Sequence, residues 1–375
     1  MAIVKLGDVA HEYKTTIKNS SGYPIVGLEH LTPSEIDLVH WDENVETTFS
    51  KGFKKGHVLF GRRRAYLKKA AVAPFDGICS GDIIVIEAEE DRIRADLLPF
   101  IIQNDLFFDY AMSKSAGGLS PRVKWADLKE YEFNLPPLIE QESLVDLLSS
   151  AYETKKAYLK LIDQTEEIVK SQFIEMFGDL HKNSKGYELK PLSQLLLIER
   201  GGSPRPISEY ITESDDGVNW IKIGDAEEGS IYITHTKEKI KPEGTKKSRY
   251  VQPGDFLLSN SMSFGRPYIL TIDGYIHDGW LVLRDENNIF DKKFLYALLS
   301  SSYASASFES LAAGSVVKNL NKDLVGSLTV PVPPMAEQKQ YASLLDQSDK
   351  SKFELKQAAK RIDDLIKSFV QQDLY

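Results

Sequence analysis

The chain has 375 residues, of which 42% are hydrophobic and 27% charged, and its formal net charge is −9. This length predicts two or three domains with the composition of a globular protein. No stretch approaches the roughly 18 uninterrupted apolar residues that a membrane-spanning helix needs. The negative net charge argues against a nucleic-acid partner unless the positive charges are clustered.

The N-terminus and the cysteine content predict a cytoplasmic protein. Residues 1–13 (MAIVKLGDVAHEY) have neither the basic start nor the apolar block of a signal peptide. Cys79 is the single cysteine, so an internal disulfide is impossible. Its apolar neighbours favour a buried structural thiol rather than a nucleophile.

Residues 1–135 are predicted to form a first α+β domain. The segment 82–88 (DIIVIEA) is apolar and typical of a strand, whereas the segment 96–112 (DLLPFIIQNDLFFDYAM) has the length and period of a helix. Residues 51–69 (KGFKKGHVLFGRRRAYLKK) contain eight basic residues and no acidic one. The positive charge of the chain is therefore concentrated in one region of this domain.

Residues 136–180 are predicted to form a long helix. From Leu144 to Met176 one stripe of residues recurs in alternating steps of four and three, a seven-residue period that predicts a coiled-coil seam. A flanking stripe of Leu147, Leu161 and Ile168 is wide enough for a further contact. The residues predicted to pair the helices or to dock a partner are Leu144, Leu148, Tyr158, Ile162 and Val169.

The second half of the chain repeats the first. WIKIGDAE from Trp220 matches YPIVGLEH from Tyr23, and VPPMAEQ matches LPPLIEQ, both at a shift of 197 residues. The shift is 186 at the start of the copies, so the second copy carries about eleven extra residues near RGGSPRPISEY. The repeat predicts a second domain over residues 181–330 and a second long helix over residues 331–375.

The second helix preserves the seam at the same shift. Its predicted pairing or docking residues are Tyr341, Leu345, Leu355, Ile362, Ile366 and Phe369. The chain order predicts that this helix returns antiparallel along the first, giving two similar domains related by a pseudo-twofold axis in a circular arrangement. About 40 residues at ~1.5 Å each would form a rod of roughly 60 Å.

Each long helix is predicted to begin at the same kind of joint. The Pro-Pro pair can end a strand and set the angle of the helix. Glu140 and Glu337 then lie in the first turn, where the helix dipole favours an acidic residue. A protein with this symmetry matches two DNA half-sites about one helical turn, ~34 Å, or somewhat more apart, and two different domains predict a bipartite asymmetric target.

The doubled PPLIEQ and PPMAEQ joints, with the preceding GGLSPRVKWADLKEYEF and GSVVKNLNKDLVGSLTV, resemble the specificity (S) subunit of type I restriction-modification systems over the whole chain. The chain is at the short end for that family. The resemblance implies two target-recognition domains and two spacer helices that dock two methyltransferase (M) subunits. It implies no cofactor in this chain, with S-adenosylmethionine on the M subunits and ATP and Mg on the restriction (R) subunits.

The candidate DNA-binding residues are chosen by chemistry, because the recognition domains of this family vary. Lysine and arginine contact phosphates, arginine reads guanine, and asparagine suits adenine. In the first domain they are Lys54, Lys55, Arg62, Arg63, Arg64, Lys68, Lys69, Ser113, Lys114, Arg122 and Lys124. In the second they are Arg200, Ser203, Arg205, Asn260, Ser261, Arg266, Ser315, Lys318, Asn319 and Asn321. A solvated surface loop is the alternative for each segment.

The sequence predicts no catalytic residue. It contains no phosphate-binding loop of the form G-x-x-x-x-G-K-[ST], and NLPPL at Asn134 lacks the aromatic residue of an amino-methyltransferase motif. The seven histidines have no metal-ligand spacing. Two other classes remain as alternatives to a DNA-recognition subunit: a coiled-coil adaptor without DNA specificity, and a self-contained methyltransferase.

Overall fold

The structure is a computed structural model that describes residues 2–18, 21–227, 230–260, 265–312 and 319–374. Its contacts divide the chain into two units. Unit 1 comprises Met1–Leu161 and Glu354–Tyr375, and unit 2 comprises Ile162–Phe353. Both units are mixed α+β, as predicted, and each contains part of two helices of 40 residues.

Unit 1 begins with nine strands and four short helices. The strands are β1 (Ala2–Lys5), β2 (Ala10–Glu12), β3 (Ile25–Val26), β4 (Lys51–Phe53), β5 (Val58–Gly61), β6 (Ala70–Val72), β7 (Gly77–Cys79), β8 (Ile83–Ala88) and β9 (Glu132–Leu135). The helices are α1 (Leu6–Val9), α2 (Leu98–Ile102), α3 (Asp105–Ser113) and α4 (Trp125–Leu128). The first long helix, α5 (Leu138–Phe177), follows β9.

Unit 2 repeats this order with additional strands. The strands are β10 (Glu188–Pro191), β11 (Leu197–Arg200), β12 (Ile211–Thr212), β13 (Val218–Ile221), β14 (Tyr232–Ile233), β15 (Glu238–Ile240), β16 (Arg249–Val251), β17 (Phe256–Ser259), β18 (Pro267–Leu270), β19 (Gly274–Ile276), β20 (Trp280–Arg284) and β21 (Thr329–Val332). The helices are α6 (Leu192–Leu195), α7 (Lys292–Ser300), α8 (Ser302–Ala312), α9 (Lys322–Ser327) and the second long helix, α10 (Met335–Leu374).

The sheets of the two units correspond strand by strand. Unit 1 contains a four-stranded sheet in the order β2-β8-β5-β6 and a three-stranded sheet in the order β3-β7-β4. Unit 2 contains β11-β20-β17-β18 extended by β14, and β13-β19-β16 extended by β15 and β12. The additional residues near RGGSPRPISEY therefore precede an extra strand, β12, at the edge of a sheet.

The central sheet of unit 1 is buried on both faces. Phe60 and Ile84 belong to a core that includes the α3 residue Phe107, whereas the alternate residues Leu59 and Val85 belong to the core shared with the three-stranded sheet. Because successive side chains of a strand point to opposite faces, burial on both faces explains the uninterrupted apolar run of β8. Unit 2 has the same two-core arrangement around β17 and β20.

The predicted helix over residues 96–112 divides into two, and the corresponding helical segment of unit 2 is divided in the same way. In unit 1 the break is at Asn104, which has an extended backbone and accepts the Leu106 N–H at 2.9 Å to cap α3. In unit 2 the break is at Ser301, also extended, between α7 and α8. Apolar periodicity continues across Asn104, so the spacing predicted a single helix over residues 96–112. In the structure a polar cap separates two helices there.

Within unit 1 the long helices pack antiparallel. Leu144 and Leu148 of α5 share a core with Val370 and Leu374 of α10. The Nζ of Lys155 lies 2.9 Å from the Asp363 carboxylate. Residues with higher numbers in α5 therefore contact residues with lower numbers in α10, as antiparallel packing requires.

Within unit 2 the remaining parts of the helices also pack antiparallel. The rings of Phe173 and Phe177 contact Tyr341 at centroid distances of 5.2 and 5.6 Å. Lys352 lies 3.6 Å from Glu166. Lys352 is 197 residues after Lys155, and Glu166 is 197 residues before Asp363. The same ion pair is therefore formed in both units, with the lysine on α5 in unit 1 and on α10 in unit 2.

The predicted seam residues all face inward in their own units. Leu144, Leu148, Ile162 and Tyr341 are buried, and the other seven are half-buried: Tyr158, Val169, Leu345, Leu355, Ile362, Ile366 and Phe369. The flanking stripe remains outside, because Leu147, Leu161 and Ile168 are 45%, 45% and 61% exposed. None of the helices in the described part of the chain has the length and apolar character required to traverse a lipid bilayer.

Candidate nucleic-acid interface

The joint that starts α5 is held by a buried glutamine. Gln141 is fully buried, and its Nε2 donates to the carbonyl oxygens of Pro136 at 2.8 Å and Arg92 at 3.2 Å. Its Oε1 accepts the Arg94 N–H at 2.8 Å. One side chain therefore ties the first turn of the helix to its Pro-Pro entrance and to the loop before α2.

The joint of α10 repeats this arrangement. Gln338 is 1% exposed, donates to Pro333 O at 2.8 Å and to Ile289 O at 3.2 Å, and accepts the Asp291 N–H at 2.8 Å. The prolines and the glutamate of the motif predicted a strand-to-helix joint, but not the side chain that holds it. The repeated Gln was visible at the same shift, but its partners are distant in sequence and could not be predicted.

In unit 1 the predicted arginines converge on Asp82, at the turn before β8. Arg122 donates from Nε and Nη2 to the two carboxylate oxygens at 2.7 and 3.3 Å. Arg63 Nη1 lies 3.6 Å from the same carboxylate, and the Arg62 backbone N–H donates to Asp82 O at 3.0 Å. We call Asp82, Arg62, Arg63 and Arg122 the Asp82 cluster.

A closed loop over residues 116–122 lies against the Asp82 cluster. Ala116 and Arg122 exchange two backbone hydrogen bonds of 3.0 and 2.9 Å. The Arg64 N–H donates to Pro121 O at 2.9 Å, and Arg63 Nε donates to the Ser120 hydroxyl at 2.6 Å. The Gly-rich loop and the basic run, predicted separately, therefore form one surface.

The other predicted residues of unit 1 are distributed more widely. Lys54 and Lys55 are exposed before β5, whereas the three consecutive arginines follow that strand, so the two groups lie at opposite ends of it. Two further lysines are half-buried and already have partners: Lys68 pairs with Asp105, and Lys69 donates to the Leu28 carbonyl at 2.6 Å. Ser113 and Lys114 are exposed at the end of α3, and Lys124 is exposed where α4 begins.

In unit 2 the predicted residues converge on Asp278, at the matching turn before β20. Ser203 Oγ donates to its Oδ1 at 2.8 Å, and Arg205 Nη2 donates to its Oδ2 at 3.1 Å. Arg200 Nε and Asn260 Nδ2 donate to its backbone carbonyl at 3.3 and 2.8 Å. We call Asp278, Arg200, Ser203, Arg205 and Asn260 the Asp278 cluster.

The strand register shows that the two clusters lie at matching turns, with their aspartates one position apart. Gly61 pairs with Ile83 in unit 1, and Ser259 pairs with Trp280 in unit 2, so the next residues, Arg62 and Asn260, occupy matching places. Their N–H groups donate to Asp82 O and Gly279 O, both at 3.0 Å, so Gly279 takes the place of Asp82 and Asp278 lies one residue earlier. Arg62 is half-buried, whereas Asn260 is 3% exposed and supports the turn from beneath.

The remaining predicted residues of unit 2 fall into three groups. The Arg266 guanidinium lies 5.5 Å from the centre of the Tyr268 ring. Asn319 is exposed, and Asn321 caps α9 by accepting the Asp323 and Leu324 N–H groups at 3.0 and 2.9 Å. Ser261, Ser315 and Lys318 lie outside the described residues.

Both central carboxylates are held in the charged form. The hydrogen bond from Arg122 is the largest influence that lowers the pKa of Asp82, with the charges of Arg122, Arg63 and Arg62 adding to it. Burial raises the pKa of Asp278, but Ser203, His277 and Arg205 lower it more, so the net shift is downward. Neither aspartate was predicted, because each carboxylate meets side chains that are distant in sequence.

Other chemistry is weakly represented in the described ranges. Across residues 2–18, 21–227, 230–260, 265–312 and 319–374 no group of three or more His, Cys, Asp or Glu residues could hold a metal ion. Cys79 is fully buried, and burial raises its thiol pKa to about 12. That thiol is a structural residue rather than a nucleophile.

Comparisons with known proteins agree with this architecture. The family model for the type I restriction modification DNA specificity domain matches residues 1–165 and 184–363. A type I restriction enzyme specificity subunit assigned to MjaX of Methanocaldococcus jannaschii is 24% identical, with 93% of this chain and 87% of that protein aligned.

Two solved structures share the fold. A chain from a study of complex assembly and conformational transition of the type I restriction-modification system has a TM-score of 0.64 and 21% identity, with 99% of this chain and 97% of that chain covered. The S subunit from M. genitalium has a TM-score of 0.54 and 15% identity, with 98% and 95% covered. The family match over both repeats shows that this chain belongs to the type I restriction-modification DNA specificity family, whose members are non-catalytic recognition subunits.

Proposed function

We propose that each unit reads one part of a bipartite asymmetric DNA target through the surface around its central aspartate. The observation that carries this proposal is the convergence of arginines and hydroxyl groups on equivalent turns of the two units. The guanidinium groups suit phosphates and guanine edges. The clusters differ in composition, which is expected if the two halves of the target differ.

The carboxylates of Asp82 and Asp278 hold the neighbouring guanidinium groups in fixed orientations. A guanidinium that is already hydrogen-bonded to a carboxylate loses less freedom when it binds DNA, so less conformational entropy opposes recognition. The same carboxylate weakens attraction to phosphates that approach in the wrong place. We infer that Asp82 and Asp278 favour discrimination between sequences over affinity for any duplex.

The division of labour follows the domains. We propose recognition domains over residues 1–135 and 181–330, with residues 136–180 and 331–375 setting the number of bases between the half-sites. Continuous helices of 40 residues support a fixed spacing. We further propose that the chain directs two M subunits and the R subunits in the cytoplasm, with S-adenosylmethionine, ATP and Mg bound by those partners.

The test is a salt titration of DNA binding by the complex of this chain with its M subunits. The variant Arg62→Ala/Arg63→Ala/Arg64→Ala should reduce the slope of log K against log [salt] by about 2–3, because each lost phosphate contact removes about 0.9. The matched control is Lys54→Ala/Lys55→Ala, at the other end of β5, which should change the slope by less than about 1. An unchanged slope in the arginine variant, with normal unfolding, would remove Arg62, Arg63 and Arg64 from the interface.

A further inference from the structure

Leu119 lies in solvent next to the Asp82 cluster. Its side chain is 99% exposed, the highest value among the exposed large hydrophobic residues of the described ranges. Its neighbours in the chain are Gly117, Gly118 and Ser120. A single exposed leucine is ordinary by itself, so the inference rests on the closed loop that carries Leu119 and on the arginines beside that loop.

The loop that carries Leu119 is fixed at its base. The two hydrogen bonds between Ala116 and Arg122 close it, and the Val123 N–H donates to Arg62 O at 3.0 Å. Gly117 has φ +118°, a conformation that residues with a side chain rarely adopt. The base is thus attached to the arginine segment, and the tip is presented in a defined place.

The charges beside Leu119 indicate which ligand would reach it. Arg64 is exposed, and Arg63 and Arg122 lie at the base of the same loop. Guanidinium groups attract phosphates, and a duplex bound by them would bring its stacked bases near the loop tip. Stacked bases provide an apolar interior next to a polyanionic surface.

We propose that Leu119 is a wedge that inserts between neighbouring bases of the half-site read by unit 1. Proteins that deform duplexes use leucine and similar side chains in this way, and partial unstacking makes extrusion of a base easier. The inference rests on the proposed function, because it requires unit 1 to contact DNA.

The test uses the complex of this chain with its M subunits and duplexes that contain the target mapped by methylation sequencing. 2-Aminopurine, an adenine analogue that pairs with thymine, replaces one adenine at a time on either strand in and beside the half-site of unit 1, leaving out the methylated adenine, and its fluorescence reports unstacking. The wild-type complex should give a rise at one step. Leu119→Ala should abolish that rise and weaken binding about tenfold, whereas Leu119→Met should retain both.

The matched control is Ile3→Ala, which truncates another exposed apolar side chain, 74% exposed on β1. It should leave fluorescence and affinity unchanged, and a thermal unfolding curve should show that Leu119→Ala is folded. If the wild-type complex binds the target and Leu119→Ala gives the same fluorescence and affinity, the wedge is wrong while the proposed function stands. If the wild-type complex does not prefer its target over an unrelated duplex, both fail.

Discussion

Units 1 and 2 use opposite chemistry at the same place in one scaffold. In unit 1 His57 Nε2 lies 3.5 Å from the Glu87 carboxylate. In unit 2 the matching positions are Asp255 and Arg284, joined by two hydrogen bonds of 2.8 and 2.6 Å. The basic residue precedes the central strand in unit 1 and lies on the neighbouring strand in unit 2, and the acidic residue has the opposite placement. A side-chain contact nevertheless joins the same two positions in both units.

The backbone contact at this position is the same in both units. His57 Nδ1 accepts the Lys54 N–H at 3.2 Å, and Asp255 Oδ2 accepts the Gln252 N–H at 3.0 Å. The His57 imidazole and the Asp255 carboxylate therefore both accept a backbone N–H from the residue three positions earlier, at the turn before the central strand. The repeat therefore preserves hydrogen-bond geometry more strictly than residue identity.

The largest expected difference between the units concerns this pair. Asp255→Ala should lower the free energy of unfolding of unit 2 by about 3–5 kcal/mol, because it leaves a partly buried Arg284 and a backbone N–H without their partner. His57→Ala should cost unit 1 only about 1–2 kcal/mol, since it breaks a weaker contact. Hydrogen exchange of β17 and β5 measures each unit separately, and equal losses would contradict the comparison.

The joints at the starts of α5 and α10 should lose similar stability when their buried glutamines are replaced. Gln141→Leu and Gln338→Leu each leave two carbonyls and one N–H without a side-chain partner, and each should cost about 3 kcal/mol in denaturant unfolding. Glu142→Gln, an exposed change on the next residue, should remain within about 0.5 kcal/mol of wild type. A large effect in one glutamine variant and none in the other would show that the two joints are not equivalent.

The central aspartates should affect discrimination. Asp82→Asn and Asp278→Asn should each lower the ratio of target to unrelated-duplex affinity about tenfold, or about 1.4 kcal/mol, because the arginines lose their orientation. Binding to unrelated duplexes should become tighter, since a negative charge is removed. Competition binding at fixed salt measures both, with exposed Asp91→Asn as the control. An unchanged ratio would mean that the aspartates only support the fold.

The smallest effect is a pH dependence of unit 1. Burial lowers the pKa of His57 below its usual 6.5, so the unfolded chain binds a proton at a higher pH than the folded chain does. The stability that unit 1 gains from a neutral His57 is fully present above about pH 6.5 and is lost as the pH falls through the folded-state pKa of this histidine. His57→Asn should flatten the decrease between pH 7 and pH 5 in the hydrogen exchange of β5. An unaltered slope would exclude His57 as its source.

The sequence predicted those features that are local or repeated. The α+β class and the two long helices followed from periodicity, and the arginine run was visible as an acid-free stretch. The helix break at Asn104 was missed, because apolar spacing continues across it. The aspartate clusters were also missed, because Asp82 and Arg122 are 40 residues apart and no short-range pattern connects them.

The central claim is that two different domains read two different half-sites at a fixed separation. Methylation sequencing of DNA from cells that carry this chain, with and without its M gene, tests it most directly. We expect one motif that appears only with both genes, made of two unlike specified segments and an unspecified spacer of constant length. A continuous motif, a variable spacer, or the same methylation without this chain would contradict it.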